Sequence, residues 1–229
     1  MDRLTHLLDQ PVTLGRAEGP YGEVVLRRRG EVEELVVDGS FAMDSAEVSS
    51  EVALGRFAVG AARVLVGGLG LGYTVASVLD DADRTGSLAR VDVVELEPTL
   101  VAWAESGLTR TLARVAADPR VRLHVADVSQ VLTGAAPAPL GPWEAILLDV
   151  DNGPDFVLHA DNAALYDEGS LRTAYEQLLP GGTLAIWCQG PSPDLLATLR
   201  RIGPAVTEHL HHVQRGQRRF AYAICTLTR

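Results

Sequence analysis

From residue 63 onward, short apolar runs alternate with segments of helical periodicity. Such runs predict buried strands, and their alternation with helices predicts repeated β–α units, which build a parallel sheet with helices on both faces. The predicted strands are residues 64–66, 91–94, 121–126, 145–148 and 183–187, and the predicted helices are residues 73–79, 98–108, 128–132 and 170–179. Residues 206–213 and 220–227 flank a turn and predict an antiparallel closing pair. The predicted fold class is α/β, a Rossmann-like, doubly wound, mostly parallel sheet with an antiparallel closing strand.

The first 60 residues follow a different pattern, because β-rich runs there are bounded by turn residues. Residues 23–28 and 32–37 predict a β-hairpin or a small meander. Asp44 precedes Glu47 by three residues, as in a capping box, and this spacing predicts the start of a linking helix. The residues of that helix expected to face inward are Val48, Val52, Phe57 and Val59.

Composition and charge exclude several function classes. The formal net charge is −10 and every basic residue is Arg, so the chain has neither the Lys of a Walker-type phosphate loop nor a Lys amine for Schiff-base catalysis. An acidic surface disfavours nucleic acid; it suits a cationic substrate, although acidic proteins without one are common. No apolar run approaches the roughly 18 residues that span a membrane. Since the first residues lack a signal-type stretch and Cys188 and Cys225 lie far apart, we expect a cytoplasmic location.

Glycines and acidic residues follow the predicted strands at the edge where such sheets bind ligands. Gly67, Gly68, Gly70 and Gly72 form a loop after the first strand of the sheet. Closely spaced glycines let the backbone approach a ligand that a side chain would block. The loop is not the dinucleotide-binding G-x-G-x-x-G, because Tyr73 stands where the last glycine is needed. It indicates a ligand site only together with the acids that follow the next strands.

Carboxylates follow the second, third and fourth strands. Glu95 is placed to accept hydrogen bonds from a ribose diol, and the alternative is a solvated or capping carboxylate. Asp127 can accept from an adenine amino group, can cap the next helix, or can do both. Asp149 and Asp151 lie two residues apart on extended backbone, so their side chains point to the same side. Because an amine must lose its proton before it is alkylated, one carboxylate can take that proton while the other holds a neighbouring ammonium.

These motifs resemble, in their order, the spermidine synthase (polyamine aminopropyltransferase) family, a branch of the class I S-adenosylmethionine-dependent methyltransferase superfamily. The resemblance rests on residues 67–72, 93–98, 126–127, 149–154, 165–166 and 179–182, with 21–25 and 37–39 resembling the family's N-terminal β-domain. It implies decarboxylated S-adenosylmethionine or S-adenosylmethionine as co-substrate, a small amine as acceptor, no metal, and it suggests a homodimer. The cofactor-binding residues it implies are Gly67, Gly68, Gly70, Gly72, Glu95, Leu96, Asp127, Val128 and Asp149. The catalytic residues it implies are Asp149, Asp151 and Asn152.

Several positions depart from the family's pattern. Gly70 replaces a loop Asp that in the family holds the donor's aminopropyl ammonium, Ala42 replaces a Gln, and Ser49-Ser50-Glu51 replaces a Tyr-His-Glu sequence. Asn152 replaces the family's catalytic Asp, which leaves Asp151 as a shifted candidate. With Gly70, a donor carboxylate meets no repulsion from the loop, and the loop N–H groups are expected to be free for an anion. We therefore expect relaxed donor choice.

Three functions are consistent with these features: aminopropyl transfer to an amine, methyl transfer from S-adenosylmethionine to a small molecule, and non-catalytic nucleoside binding. The resemblance along nearly the whole chain favours the first. We divide the chain into a small N-terminal β-hairpin region with its linking helix, residues 1–60, and a Rossmann-like nucleoside-binding catalytic domain, residues 61–229.

Two further groups of residues have ordinary structural explanations. Three histidines lie in the predicted terminal strand, which explains them without a metal site. They are His209, His211 and His212. The tryptophans are expected in the core rather than as platforms for a substrate. They are Trp103, Trp143 and Trp187.

Overall fold

A four-stranded antiparallel sheet forms the N-terminal part of the chain. The computed structural model describes residues 10–136, 139, 141–150, 164–215 and 218–229. Strands β1 (Val12–Gly19), β2 (Gly22–Arg29), β3 (Val32–Val37) and β4 (Ser40–Asp44) are neighbours in chain order. Between β3 and β4, Asp38 and Gly39 both take positive φ, as a tight two-residue hairpin turn requires. The hairpin of β2 and β3 was predicted; the structure corrects the hairpin region to four strands by adding β1 and β4.

A seven-stranded sheet forms the rest of the fold, in the order β10-β11-β9-β8-β5-β6-β7. Its strands are β5 (Arg63–Gly67), β6 (Arg90–Glu95), β7 (Val121–Val125), β8 (Trp143–Leu148), β9 (Leu178–Cys188), β10 (Ala205–Arg215) and β11 (Arg218–Thr228). Strands β5 to β9 pair in parallel, and β11 pairs antiparallel with β9 and β10. The predicted fold class is confirmed. Because β5 pairs with both β6 and β8, the strand order reverses at β5, and such a point opens a crevice for ligands.

Helices cover both faces of the large sheet. They are α1 (Ser49–Gly55) with a 3₁₀ turn (Arg56–Ala58), α2 (Tyr73–Thr85), α3 (Pro98–Glu105), α4 (Arg110–Ala117), α5 (Val128–Leu132), α6 (Glu168–Glu176) and α7 (Pro193–Ile202). On one face, Leu54 of α1 and Val66 of β5 share an apolar cluster with Leu26 of the N-terminal sheet. Leu65 and Leu171 belong to a second cluster on the other face. The small sheet thus packs into the core of the large one, and a domain division at residue 60 stays a prediction.

The linking helix begins later than the capping pattern predicted. Asp44 ends β4, and its Oδ1 atom accepts hydrogen bonds from the N–H groups of Ala46 and Glu47, at 3.0 and 3.3 Å. These bonds close a local turn instead of capping a helix. Helix α1 begins at Ser49. Val59 follows the helix with 53% of its surface exposed, so the expectation that it faces inward is wrong.

The end of the helix predicted over residues 170–179 is also wrong. Helix α6 ends at Glu176, because β9 already begins at Leu178. The pairing of β9 with β8 shifts register here, and the N–H of Gly181 donates to the carbonyl of Arg229 at 2.6 Å. Contacts with distant strands therefore draw this segment into the sheet. Helices α4 and α7 were not predicted. No helix in the described ranges combines the length and the apolar composition needed to cross a membrane.

The substitution Gly55→Ala tests how closely α1 packs against α2. A Cβ atom at Gly55 would lie 2.5 Å from the Cβ atom of Ser77 and 2.8 Å from the carbonyl oxygen of Thr74. We expect the free energy of unfolding to fall by about 1–3 kcal/mol, because the two helices must move apart. Chemical denaturation measures this loss. Gly190→Ala is the control, since a Cβ atom there meets nothing closer than 3.9 Å; equal losses in both variants would contradict the packing explanation.

Candidate functional site

A cavity lies where the carboxyl ends of the parallel strands meet the N-terminal sheet. Its walls come from the N-terminal sheet, the glycine loop, helices α1 and α2, the ends of β6 and β9, and the segments that follow β6, β7 and β8. The residues that line it are Tyr21, Leu35, Val37, Ala42, Met43, Glu51, Gly68, Leu69, Gly70, Tyr73, Val94, Glu95, Leu96, Glu97, Leu100, Ala126, Asp127, Val128, Asp149, Val150 and Trp187. The cavity thus brings together most of the site residues predicted from the sequence.

The glycine loop is shaped by close contacts within the protein. Gly68 has a φ of 90°, and a Cβ atom there would lie 2.2 Å from the carbonyl oxygen of Asp149. Only glycine therefore lets the loop after β5 pass this close to the end of β8. Gly70 has a φ of 50°, and a Cβ atom there would lie 2.8 Å from the sulfur of Met43. Met43 of β4 thus occupies the space into which a side chain at position 70 would project.

The N–H groups of this loop already have acceptors. The N–H of Gly68 donates to the carbonyl of Val94 at 2.8 Å. The N–H of Leu69 donates to Oε2 of Glu95 at 2.7 Å, and the N–H of Gly70 donates to the same carboxylate. The expectation that these loop N–H groups are free to meet an anion is therefore wrong for Gly68, Leu69 and Gly70.

Glu95 joins the glycine loop to the end of β6. Besides the loop N–H groups, it accepts a hydrogen bond from the N–H of Glu97 at 2.8 Å, through Oε1. Burial raises the pKa of Glu95, repulsion from Glu97 acts in the same direction, and the backbone hydrogen bonds oppose the rise. Glu95 is 7% exposed, so it is not a solvated carboxylate. Because each carboxylate oxygen can accept more than one hydrogen bond, Glu95 can hold the loop and still accept from a ligand hydroxyl.

Two further carboxylates cap helices at the cavity wall. Asp127 accepts from the N–H of Ser129 at 2.8 Å and caps α5, so its alternative capping role is confirmed. Glu97 accepts from the N–H of Thr99 at 2.9 Å and caps α3. The Oε2 atom of Glu97 is buried and has no hydrogen-bond partner in the part of the chain that the structure describes. Glu97 was not among the predicted site residues, although its place two residues after Glu95 was a usable signal.

Asp149 lies at the end of β8 beside α1 and α2. Oγ1 of Thr74 donates to its Oδ2 atom at 2.5 Å. Burial raises the pKa of Asp149 to about 7; repulsion from Glu51 and Glu95 adds to the rise, and the hydrogen bond from Thr74 opposes it. Oε2 of Glu51 in turn accepts from Oγ of Ser50 at 2.6 Å. Asp149 therefore titrates near neutral pH, where a general base is effective.

Other residues singled out in the sequence lie elsewhere. Gly67 ends β5 and Gly72 precedes α2, and neither lines the cavity, so their roles in binding stay predictions. Asp151 and Asn152 lie outside the described residues, so their roles stay predictions. Trp187, which was expected to be only a core residue, is 8% exposed and lines the cavity.

The histidines of β10 make contacts with α1 and the segment that follows it. Nε2 of His211 lies 2.7 Å from Oγ of Ser49, and the ring of His209 lies 4.9 Å from that of Phe57. Within the described ranges, no group of three or more His, Cys, Asp or Glu side chains is arranged to hold a metal ion.

The cavity wall carries negative charge and no positive charge over its described lining. It contains the carboxyl groups of Glu51, Glu95, Glu97, Asp127 and Asp149, and neither Arg nor His. Apolar residues of the N-terminal sheet share the cavity wall with these groups, and electrostatic interactions are stronger in apolar surroundings. The arrangement can attract a cation and disfavours an anion.

Comparison with known proteins identifies relatives. No protein-family model matches the chain. A polyamine aminopropyltransferase of Mycobacterium tuberculosis (strain H37Rv) is 29% identical over 202 residues, which cover 84% of this chain and 37% of that protein. A polyamine aminopropyltransferase of Nitrosomonas europaea is 30% identical over 159 residues, covering 66% of this chain and 44% of that protein. The chain spans less than half the length of these curated relatives.

Solved structures share the fold. Spermidine synthase from Thermotoga maritima superposes with a TM-score of 0.70 at 14% identity, over 93% of this chain and 72% of that one. The O-methyltransferase TomG from Streptomyces achromogenes superposes with a TM-score of 0.52 at 18% identity, over 80% of this chain and 81% of that one. In sequence the chain is similar to polyamine aminopropyltransferases, and it shares the fold of spermidine synthase. The resemblance found in the sequence is confirmed.

The substitution Glu95→Gln tests the carboxylate that holds the loop. An amide places an N–H₂ group where Leu69 or Glu97 donates, so one backbone N–H loses its acceptor. We expect affinity for methylthioadenosine, measured by calorimetry, to weaken by about 1–3 kcal/mol. Glu105→Gln, at an exposed position of α3, should leave the affinity unchanged. Unchanged affinity in Glu95→Gln would remove Glu95 from the site.

Proposed function

We propose that the protein transfers an aminopropyl group from decarboxylated S-adenosylmethionine to a small amine. The observation that carries this proposal is a cavity with hydrogen-bonded carboxylates at the ends of β6 and β7 and the partly buried carboxyl groups of Asp149 and Glu51 beside β8, with no basic side chain in its described lining. The names of the relatives support the same chemistry. A protein of this activity is a transferase.

The nucleoside of the donor is proposed to lie along β6 and β7. Glu95 would accept from the ribose hydroxyls, and Asp127 would accept from the adenine amino group. Leu96 and Val128 would pack against the adenine ring, since both line the cavity beside these carboxylates. The sulfonium would then lie toward Gly68 and the end of β8.

The reaction is a direct displacement at carbon. The lone pair of the acceptor nitrogen attacks the aminopropyl carbon bonded to sulfur, a C–N bond forms, and the C–S bond breaks with its electron pair going to sulfur. The sulfonium becomes the neutral thioether methylthioadenosine. The acceptor must first lose a proton, and holding both reactants in line lowers the barrier.

Asp149 is the proposed proton acceptor. Its raised pKa lets the carboxylate take a proton near neutral pH, and Glu51 beside it would hold the cationic amine. Asp151 and Asn152 follow Asp149 in sequence and stay candidates for positioning the amine. A homodimer and a cytoplasmic location stay predictions as well.

The raised pKa predicts how amine binding depends on pH. A bound ammonium favours the ionised carboxylate, so binding must remove the Asp149 proton at a pH below about 7. We expect the affinity for 1,4-diaminobutane to rise by up to about tenfold from pH 6 to pH 8, with proton release in calorimetry. Asp149→Asn should abolish this rise, whereas the exposed control Asp194→Asn should keep it. A rise of equal size in Asp149→Asn would exclude Asp149 as the titrating group.

The raised pKa of Asp149 also predicts how the stability of the unliganded protein depends on pH. Because the pKa of Asp149 in the folded state is raised above its ordinary value of 3.8, the destabilisation is absent below that pH and grows as pH rises to about 7. Denaturation should therefore show that Asp149→Asn has a higher free energy of unfolding than wild type. This difference should be larger at pH 8 than at pH 5 by roughly 1–3 kcal/mol. A gain in the free energy of unfolding that does not change with pH would contradict the raised pKa of Asp149.

Methyl transfer from S-adenosylmethionine is the alternative, and donor preference separates the two. The donor carboxylate would enter a cavity whose described lining carries acids and no base, and the N–H groups of Gly68, Leu69 and Gly70 are already bonded. We therefore revise the expectation of relaxed donor choice. Decarboxylated S-adenosylmethionine should bind at least about tenfold more tightly than S-adenosylmethionine in competition calorimetry, because like charges repel in the latter complex.

Glu51→Gln removes one carboxylate from the cavity wall and should reduce the preference for decarboxylated S-adenosylmethionine over S-adenosylmethionine. This variant is a better test than Gly70→Asp, since a side chain at position 70 meets the sulfur of Met43. Equal or reversed preference in the wild type would favour methyl transfer. Binding of neither donor would favour the non-catalytic alternative.

A further inference from the structure

Trp187 stands beside Asp149 at the edge of the sheet. In the parallel pairing of β8 with β9, Leu148 is the partner of Ile186, so Asp149 and Trp187 are the next residues on the two strands. Neighbouring residues at the same level of a parallel sheet project from the same face. That face is the one covered by α1 and α2, because Trp187 belongs to its apolar cluster and Asp149 bonds Thr74 of α2. Trp187 therefore forms a wall of the corner that contains Asp149.

The indole is held by an aromatic row on the adjoining strand. Its ring centroid lies 5.0 Å from that of Tyr222 on β11, at an interplanar angle of 41°. Tyr222 contacts Phe220 edge-on, with centroids 5.3 Å apart. The indole N–H is buried and has no acceptor among the residues that the structure describes. Packing, rather than a hydrogen bond, thus fixes the ring beside the carboxylates.

An aromatic wall beside carboxylates suits a small organic cation. Trp attracts ammonium groups through its ring more strongly than other aromatic residues do, and the attraction grows when water is excluded. Asp149 and Glu51 supply the negative charge in the same corner, and the described lining of the cavity offers no competing Arg or His. A Trp side chain also takes up more space there than any other residue would.

We propose that Trp187 selects the amine acceptor, by binding its ammonium against the indole beside Asp149 and Glu51 and by limiting the acceptor to short, unbranched aliphatic amines. This inference rests on the proposed aminopropyl transfer. It goes beyond that proposal by assigning the choice of acceptor to a residue on β9. Trp187 acts by contact with the acceptor, and the nucleoside carboxylates Glu95 and Asp127 lie along β6 and β7.

Binding of amines alone provides the first test. Titration with 1,4-diaminobutane should change the intrinsic fluorescence of the wild type and of the control variant Trp103→Phe. Trp103 contacts Gly15 of β1 and does not line the cavity. Trp187→Leu, which leaves no aromatic face, should lose most of the signal and bind 1,4-diaminobutane roughly 2- to 30-fold more weakly, the range of a cation–π contact. An undiminished signal and affinity in Trp187→Leu would overturn the proposal, whether or not the protein transfers an aminopropyl group.

Acceptor choice provides the second test. In Trp187→Leu, kcat/KM for branched and longer amines should rise relative to 1,4-diaminobutane by at least about tenfold, with KM for the short amine raised more than kcat is lowered. Methylthioadenosine affinity should change less than about threefold, because the nucleoside lies elsewhere. An unchanged acceptor order, or a loss of nucleoside affinity as large as the loss for the amine, would refute the assignment. If Trp187→Leu does not fold, Trp187→Phe with the same amines decides. Wild type that binds amines but transfers nothing would refute the proposed transfer and leave the binding result standing.

Discussion

The buried carboxylate of Glu95 is the interaction on which the candidate site depends. An ionised carboxylate away from water is costly unless hydrogen bonds surround it, and here N–H groups of the glycine loop and of Glu97 supply them. The same bonds hold the loop in a conformation with positive φ at Gly68 and Gly70. Loops of this kind that bind phosphate aim their N–H groups at the ligand. In this protein Leu69 and Gly70 direct theirs at Glu95 instead, so these two N–H groups bind a carboxylate of the protein.

The sequence predicted the part of the fold that is buried on both faces. Strands β5, β6 and β8 are almost wholly enclosed, and most of their residues are apolar. Strands β1 and β4 are partly exposed, and they were not predicted. The start of β9 was mistaken for a helix end because its conformation depends on Arg229, which lies far along the chain. Pairing with distant residues is not visible in a local pattern.

The sequence also predicted only part of the candidate site. Acids at strand ends share one edge of a parallel sheet, and this rule alone placed Glu95, Asp127 and Asp149 together. Glu51 and Trp187 enter the site for other reasons. Glu51 reaches the cavity because Gly55 lets α1 pack closely on α2, and Trp187 reaches it through the register of β9 with β8. A tryptophan in a predicted buried strand has nothing in its sequence context to distinguish a cavity wall from a core residue.

The protonation of Asp149 connects stability with the proposed chemistry. Burial beside Glu51 disfavours its ionised form, so the unliganded fold is less stable at neutral pH than it would be with a neutral side chain there. A bound cation removes that disadvantage, because attraction to an ammonium replaces repulsion between carboxylates. Apolar residues of the N-terminal sheet, among them Leu35 and Met43, strengthen both effects by keeping water away from the charges. The small sheet therefore contributes to the site although Leu35 and Met43 carry no charge: it sets the polarity in which Asp149 acts, and a change that admits water at Met43 should lower the pKa of Asp149 and weaken it as a base.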